Sequence, residues 1–130
     1  MEIKKRTGIS RILYAGLNSY TGLRHNFIHE AAIRQEIIAA MIMIPFACWL
    51  DVSTSERLLM ICAVLLVIIV ELLNTAIEAT VDRIDLDYHE LSGLAKDTGS
   101  AAVFFSLLLC TIVWLTIGIP LLDLQALSLL

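Results

Sequence analysis

The sequence predicts an all-α integral membrane protein, and three observations carry that prediction. Apolar residues make up 58% of the 130 and charged residues 17%, with a mean hydropathy of +0.83. An ordinary soluble domain has about 45–50% apolar and about 25% charged residues. Apolar runs long enough for membrane helices recur three times, and an amphipathic segment of helical period precedes them. A soluble chain of 14.4 kDa buries only about two-thirds of its unfolded surface, too little to hide this apolar content. A soluble enzyme, a disordered chain and a disulfide scaffold are thereby excluded. The length suits one membrane domain over residues 1–130.

The first element is expected over about 7–28. Ile9, Ile12, Leu13, Leu17, Tyr20, Leu23 and Phe27 recur at helical spacing, with Arg11, Asn18 and His25 on the opposite stripe. Lys4, Lys5 and Arg6 precede it, so the segment reads as a helix lying on an anionic membrane surface. The alternative is a helix docked on its own protein. No apolar run falls where a cleavable secretory signal would place one.

The first spanning helix is expected over 30–50. Its uncharged run, Ile37 to Leu50, gives only about 21 Å of helix against a hydrocarbon layer of about 30 Å. The helix must therefore start near Glu30, which draws Glu30, Arg34, Gln35 and Glu36 to the membrane boundary. Pro45 should bend it modestly. The second span is expected over 56–82, its start marked by Ser53-Thr54-Ser55-Glu56, the pattern of a capping box. The third is expected over 97–120, uncharged from Ala101 to Leu122, with a cytoplasmic loop over 83–96. Six of the nine Lys and Arg precede Ile37, Arg83 and Lys96 lie between spans two and three, and only Arg57 follows span one. The positive-inside rule then puts the N-terminus and the 83–96 loop in the cytoplasm.

Nine basic against thirteen acidic residues give a net charge of −4, without the basic footprint of a nucleic-acid binder. Cys48, Cys62 and Cys110 lie in apolar runs and read as core residues. His25, His29 and His89 lack metal-ligand spacing.

The most informative feature is on the second span. Glu71, Asn74, Glu78 and Asp82 are three, four and four residues apart, one stripe within a sector of about 80° at about 100° per residue. A charge in hydrocarbon costs at least about 2.5–3.5 kcal/mol, so the stripe must face protein, water or a cation. Three readings follow: a packing interface neutralised by Arg34, Arg83 and Lys96; a proton or cation path; or a chemical site. The stripe runs into the polar segment Asp82 to Glu90 and then Lys96-Asp97, and Glu30 enters the membrane at the same depth. Carboxylates with one lysine at a membrane boundary suit a magnesium–nucleotide site. There is no GxxxxGK[ST], GxGxxG, HRD or DFG, which excludes a P-loop or protein-kinase fold.

Asn74-Thr75-Ala76-Ile77-Glu78-Ala79, Val81-Asp82-Arg83-Ile84, Tyr88-His89-Glu90-Leu91-Ser92-Gly93 and Ala95-Lys96-Asp97 strongly resemble the prokaryotic diacylglycerol kinase family. Glu30-Ala31-Ala32-Ile33-Arg34-Gln35-Glu36 and Cys48-Trp49-Leu50-Asp51-Val52 match it in order and spacing, so the resemblance runs from about Thr7 to Ile117. It implies a homotrimer of three-span subunits with a surface helix, active sites between subunits, and a place in the bacterial inner membrane with the site facing the cytoplasm. The implied reaction is transfer of the γ-phosphate of Mg-ATP to the primary hydroxyl of sn-1,2-diacylglycerol, giving phosphatidic acid for phospholipid metabolism.

Carried over, Glu71 is the general base and Glu30 and Glu78 hold magnesium. Arg11, Asn18, Glu30, Glu78, Asp87, Tyr88, His89, Lys96 and Asp97 meet the nucleotide, while Asn74 supports the reacting groups. Lipid-side positions are Arg11, Ser19, Arg24, Ala32, Arg34, Gln35, Glu36, Trp49, Arg57, Glu71, Asn74, Ser100 and Trp114. Asn18 departs from a tyrosine in the best-known members, Asp85 and Leu86 from a Gly-Ser pair, and Leu94 from an arginine, which removes a positive charge near Lys96. The alternatives are undecaprenol kinase, which shares the carboxylates, and a small cation or proton transporter using Glu71 and Glu78.

Overall fold

The structure, a computed structural model, describes residues 8–84, 87 and 89–127, the last seven of them as backbone. The basic group at 4–6, the expected helix start at 7, and Asp85, Leu86 and Tyr88 lie outside the described residues. The described residues form four helices: α1 (Ile9–His29), α2 (Ala31–Trp49), α3 (Thr54–Ile84) and α4 (Glu90–Leu127). Helix α4 is longer at both ends than the expected last span over 97–120. Helix α4 starts at Glu90, and Pro120 lies inside it rather than ending it. Of the predicted 83–96 loop, residues 83 and 84 lie in α3 and 90–96 in α4.

The start of α4 has a local cause that apolar periodicity does not register. The His89 ring accepts the backbone N–H of Leu91 on Nδ1 at 3.2 Å, and the His89 carbonyl accepts from Gly93 at 3.0 Å. This satisfies an N–H that the first turn would otherwise leave unpaired. At α3 the expected capping box is present in both directions. Ser53 donates from its backbone N–H and hydroxyl to Glu56 Oε2 at 2.9 and 2.6 Å, and the Glu56 N–H returns to Ser53 Oγ at 3.3 Å. Gly8 opens α1 at φ 68°, a conformation that favours glycine.

Three helices, Ala31–Trp49, Thr54–Ile84 and Glu90–Pro120, are long and apolar enough to cross a membrane. Helix α3 is central and packs on both α2 and α4. The buried residues follow a seven-residue rhythm: Ile33, Ala40 and Ala47 on α2, and Met60, Val64, Val67, Glu71 and Asn74 on α3. A repeat of seven keeps one seam facing its neighbour along nearly parallel or antiparallel helices. Alanine at Ala40, Ala47 and Ala63 lets backbones approach closely, as membrane helices require. Large apolar side chains such as Leu59, Ile69, Phe104, Phe105 and Ile112 stay exposed on the outside, where hydrocarbon solvates them.

Two of the arginines expected on the lipid side donate to backbone carbonyls. Arg34 donates to the carbonyls of Phe27 and Ile28 at 3.5 and 3.3 Å, at the end of α1. Arg57 donates to Ala47, Leu50 and Val52 at 3.2, 3.0 and 3.5 Å, closing the turn after α2. Arg57→Ala is expected to cost about 1–3 kcal/mol, because partly buried carbonyls lose their donor. Thermal unfolding in micelles measures it, and an unchanged midpoint would contradict the assignment.

Candidate active site

The seam of α3 changes chemistry along its length. Met60, Val64 and Val67 are followed on the same face by Glu71 and Asn74, each only 8% exposed. Glu78 comes next on that face, half-buried, and its Oε1 accepts a hydrogen bond from Asn74 Nδ2 at 3.2 Å. At about 1.5 Å per residue α3 is about 46 Å long against a hydrocarbon layer of about 30 Å. Its polar end therefore reaches the headgroup level, while Glu71 sits about 10 Å deeper than Glu78.

Glu30 joins this group from the junction of α1 and α2. It is the single extended residue between them (φ −102°, ψ 118°) and caps both helices through its backbone: its N–H meets the Asn26 carbonyl at 2.8 Å, and its carbonyl accepts from Arg34 at 3.2 Å. Its side chain makes no cap hydrogen bond. Glu71 lies within electrostatic range of Glu30 and Glu78, and Glu36 within range of Glu71. Among the described residues no basic side chain pairs with any of these four carboxylates. An apolar crevice lined by Ala39, Met43, Val64, Val67, Ile68, Leu107 and Cys110 leads away from Glu36 between α2, α3 and α4.

One turn beyond Glu78 on the same stripe, Lys96 Nζ contacts Asp82 Oδ1 at 2.5 Å. Lys96 and Asp97 sit in the second turn of α4. Asp82 was part of the predicted stripe but not of the predicted site, and its pairing partner was not legible from α3 alone.

The remaining predicted site residues are placed elsewhere in this chain. Arg11, Asn18, Ser19 and Arg24 lie on α1, which has no buried residue. Arg11 is about 28 Å of helix from Glu30, and Ser19 Oγ donates to its own helix at the Ala15 carbonyl, 2.9 Å. Ala32, Gln35 and Ser100 are exposed. Arg57 is about 21 Å of helix from Glu71. At that same far end Trp114 Nε1 donates to the Met60 carbonyl at 3.2 Å and its ring stacks on Phe46 with centroids 6.4 Å apart. Trp49 is 77% exposed. One chain thus assembles Glu30, Glu36, Glu71, Asn74 and Glu78, with the Asp82–Lys96 pair beside them.

Among the described residues no three His, Cys, Asp or Glu side chains converge on one point. A zinc or calcium cage is not formed. Magnesium asks for less: one or two carboxylates, the rest of its octahedron coming from phosphate oxygens and water. Glu30 and Glu78, unpaired with any cation and half-buried, fit that donor set.

The family model described as prokaryotic diacylglycerol kinase matches residues 17–118. A diacylglycerol kinase of Escherichia coli K12 is 54% identical over 108 residues, 83% of this chain and 88% of that protein. One from Pseudomonas aeruginosa is 53% identical over 114 residues, 88% and 93% of the two chains. One from Haemophilus influenzae is 46% identical over 110 residues, 85% and 93%.

Proposed function

The chain belongs to the prokaryotic diacylglycerol kinase family, and from that membership we propose that it transfers the γ-phosphate of Mg-ATP to the primary hydroxyl of sn-1,2-diacylglycerol. The observation that carries the mechanism is the alignment of Glu71, Asn74 and Glu78 on one face of α3, with Glu71 toward the apolar stretch of the helix. Phosphoryl transfer asks a protein chiefly to position groups and to neutralise charge.

Glu30 and Glu78 hold the magnesium of the nucleotide, which when bound offsets the charge of the phosphate oxygens. Lys96, released from Asp82, meets phosphate charge, while Asp87, His89 and Asp97 line the approach from the cytosol. Glu71 takes the hydroxyl proton as the new P–O bond forms. The Asn74 amide holds the Glu78 carboxylate in its rotamer. The crevice leading from Glu36 gives acyl chains an apolar course beside the carboxylates.

This reading also needs more than one chain. The apolar face of α1 is exposed along its length, with Ile9 at 78% and Leu17 at 59%, and Arg11 is far from the carboxylates of its own chain. A homotrimer, with α1 lying on the cytoplasmic leaflet of the bacterial inner membrane and sites shared between subunits, accounts for both. The test is direct. The purified protein in detergent micelles is given labelled Mg-ATP with diacylglycerol or with undecaprenol. Phosphatidic acid is the expected product. Phosphorylated undecaprenol alone would reassign the acceptor, and ion flux in vesicles without any phosphorylated lipid would replace the kinase mechanism by a transport path.

A further inference from the structure

Helices α3 and α4 approach closely at Gly99 and Asn74. Gly99 is buried in α4 although glycine is a poor residue for a helix interior. A Cβ built on it would collide with Asn74 Oδ1 and stand 3.3 Å from Asn74 Cγ. In contrast, a Cβ on Gly118 of the same helix meets nothing within 4 Å. The carboxylate of Glu78 only accepts, so the Asn74 nitrogen must face it and the oxygen must face Gly99. That oxygen is buried and accepts no hydrogen bond from the described residues. The Asn74 carboxamide is therefore clamped between a carboxylate on one side and the bare backbone of α4 on the other.

We propose that Gly99 is a positioning residue: by giving up its side chain it fixes the Asn74 carboxamide and, through it, the orientation of the Glu78 carboxylate. The inference rests on the reading of Glu78 as a magnesium carboxylate. The collision involves the end of a short side chain rather than backbone, so a methyl group at Gly99 turns the carboxamide and breaks the 3.2 Å hydrogen bond to Glu78. The helix pair itself stays intact. Alanine is also the better helix former, so structure and activity are expected to move in different directions.

The experiment compares Gly99→Ala, Asn74→Ala, the double variant and, as control, Gly118→Ala, full-length in micelles. Magnesium is titrated at fixed ATP with a short-chain diacylglycerol. Gly99→Ala is expected to raise half-saturating magnesium about fivefold or more and lower kcat about tenfold, with KM for the lipid within about twofold and folding unchanged. Gly118→Ala should behave as the parent. The double variant should match Asn74→Ala, because without the carboxamide nothing remains to be displaced. Parental magnesium dependence in Gly99→Ala overturns the proposal, as does a double variant whose losses add. Should Gly99→Ala fail to fold, a folded double variant equal to Asn74→Ala upholds the proposal and an unfolded one overturns it. Parental magnesium dependence in Asn74→Ala instead removes the reading of Glu78 on which the proposal stands.

Discussion

Glu78→Gln is expected to weaken Mg-ATP binding and turnover together, by about 100-fold or more in kcat/KM for the nucleotide. Residues that merely orient a metal ligand are worth about 10–100-fold, and on the proposed reading a ligand carboxylate itself is lost. Glutamine keeps the acceptor that Asn74 Nδ2 meets at 3.2 Å, so the side chain should hold its place while losing its charge. Glu30→Gln should act likewise, since the Glu30 carboxylate takes no part in capping α1 or α2. Without a bridging cation these carboxylates would face triphosphate charge in a poorly solvated site, where like charges repel strongly. Calorimetry with Mg-ATP in micelles, alongside a magnesium titration of the rate, measures both effects. Parental affinity in the two variants would remove the metal assignment.

Much of this arrangement is legible in the sequence because it is local. The three, four and four spacing of Glu71, Asn74, Glu78 and Asp82 places them on one face before any partner is known, and the Ser53–Glu56 cap can be read as a motif. What stays illegible depends on a second element. The sequence offers Arg34 and Arg57 as lipid-side positions and does not show that each also donates to carbonyls at a helix end, a use open to an arginine five-donor fork as readily as phosphate. The early start of α4 escapes a reading by apolar period, since its first two turns are polar and its cap is a histidine ring. The role of Gly99 depends on α3 being laid against it and has no local signal in the sequence. The amphipathic pattern of α1 is plain, but its cover is not, because within one chain nothing buries it.

Glu71→Gln should leave the nucleotide bound and stop the chemistry. Glu71 lies about 10 Å of helix from Glu78, which in the proposed topology is the depth of a lipid hydroxyl rather than of a triphosphate. It is 8% exposed on the same seam as Val67 and Met60, so bulk water does not reach it as a competing proton acceptor. A primary hydroxyl is a weak nucleophile while it keeps its proton, and a positioned base typically contributes about 10²–10⁴-fold in rate. Glutamine preserves size and hydrogen bonding but removes that base. The expected result is a fall in kcat of about 10²–10⁴-fold, with Mg-ATP affinity within a few-fold of the parent, since the interaction lost is one made as the bond forms. The contrast with Glu78→Gln is the decisive feature: two glutamates seven residues apart on one helix face, one setting the affinity for the magnesium nucleotide and the other the rate of transfer. Near-parental kcat in Glu71→Gln would sink the base assignment, and a matching loss of Mg-ATP affinity would make Glu71 a third carboxylate of the metal site.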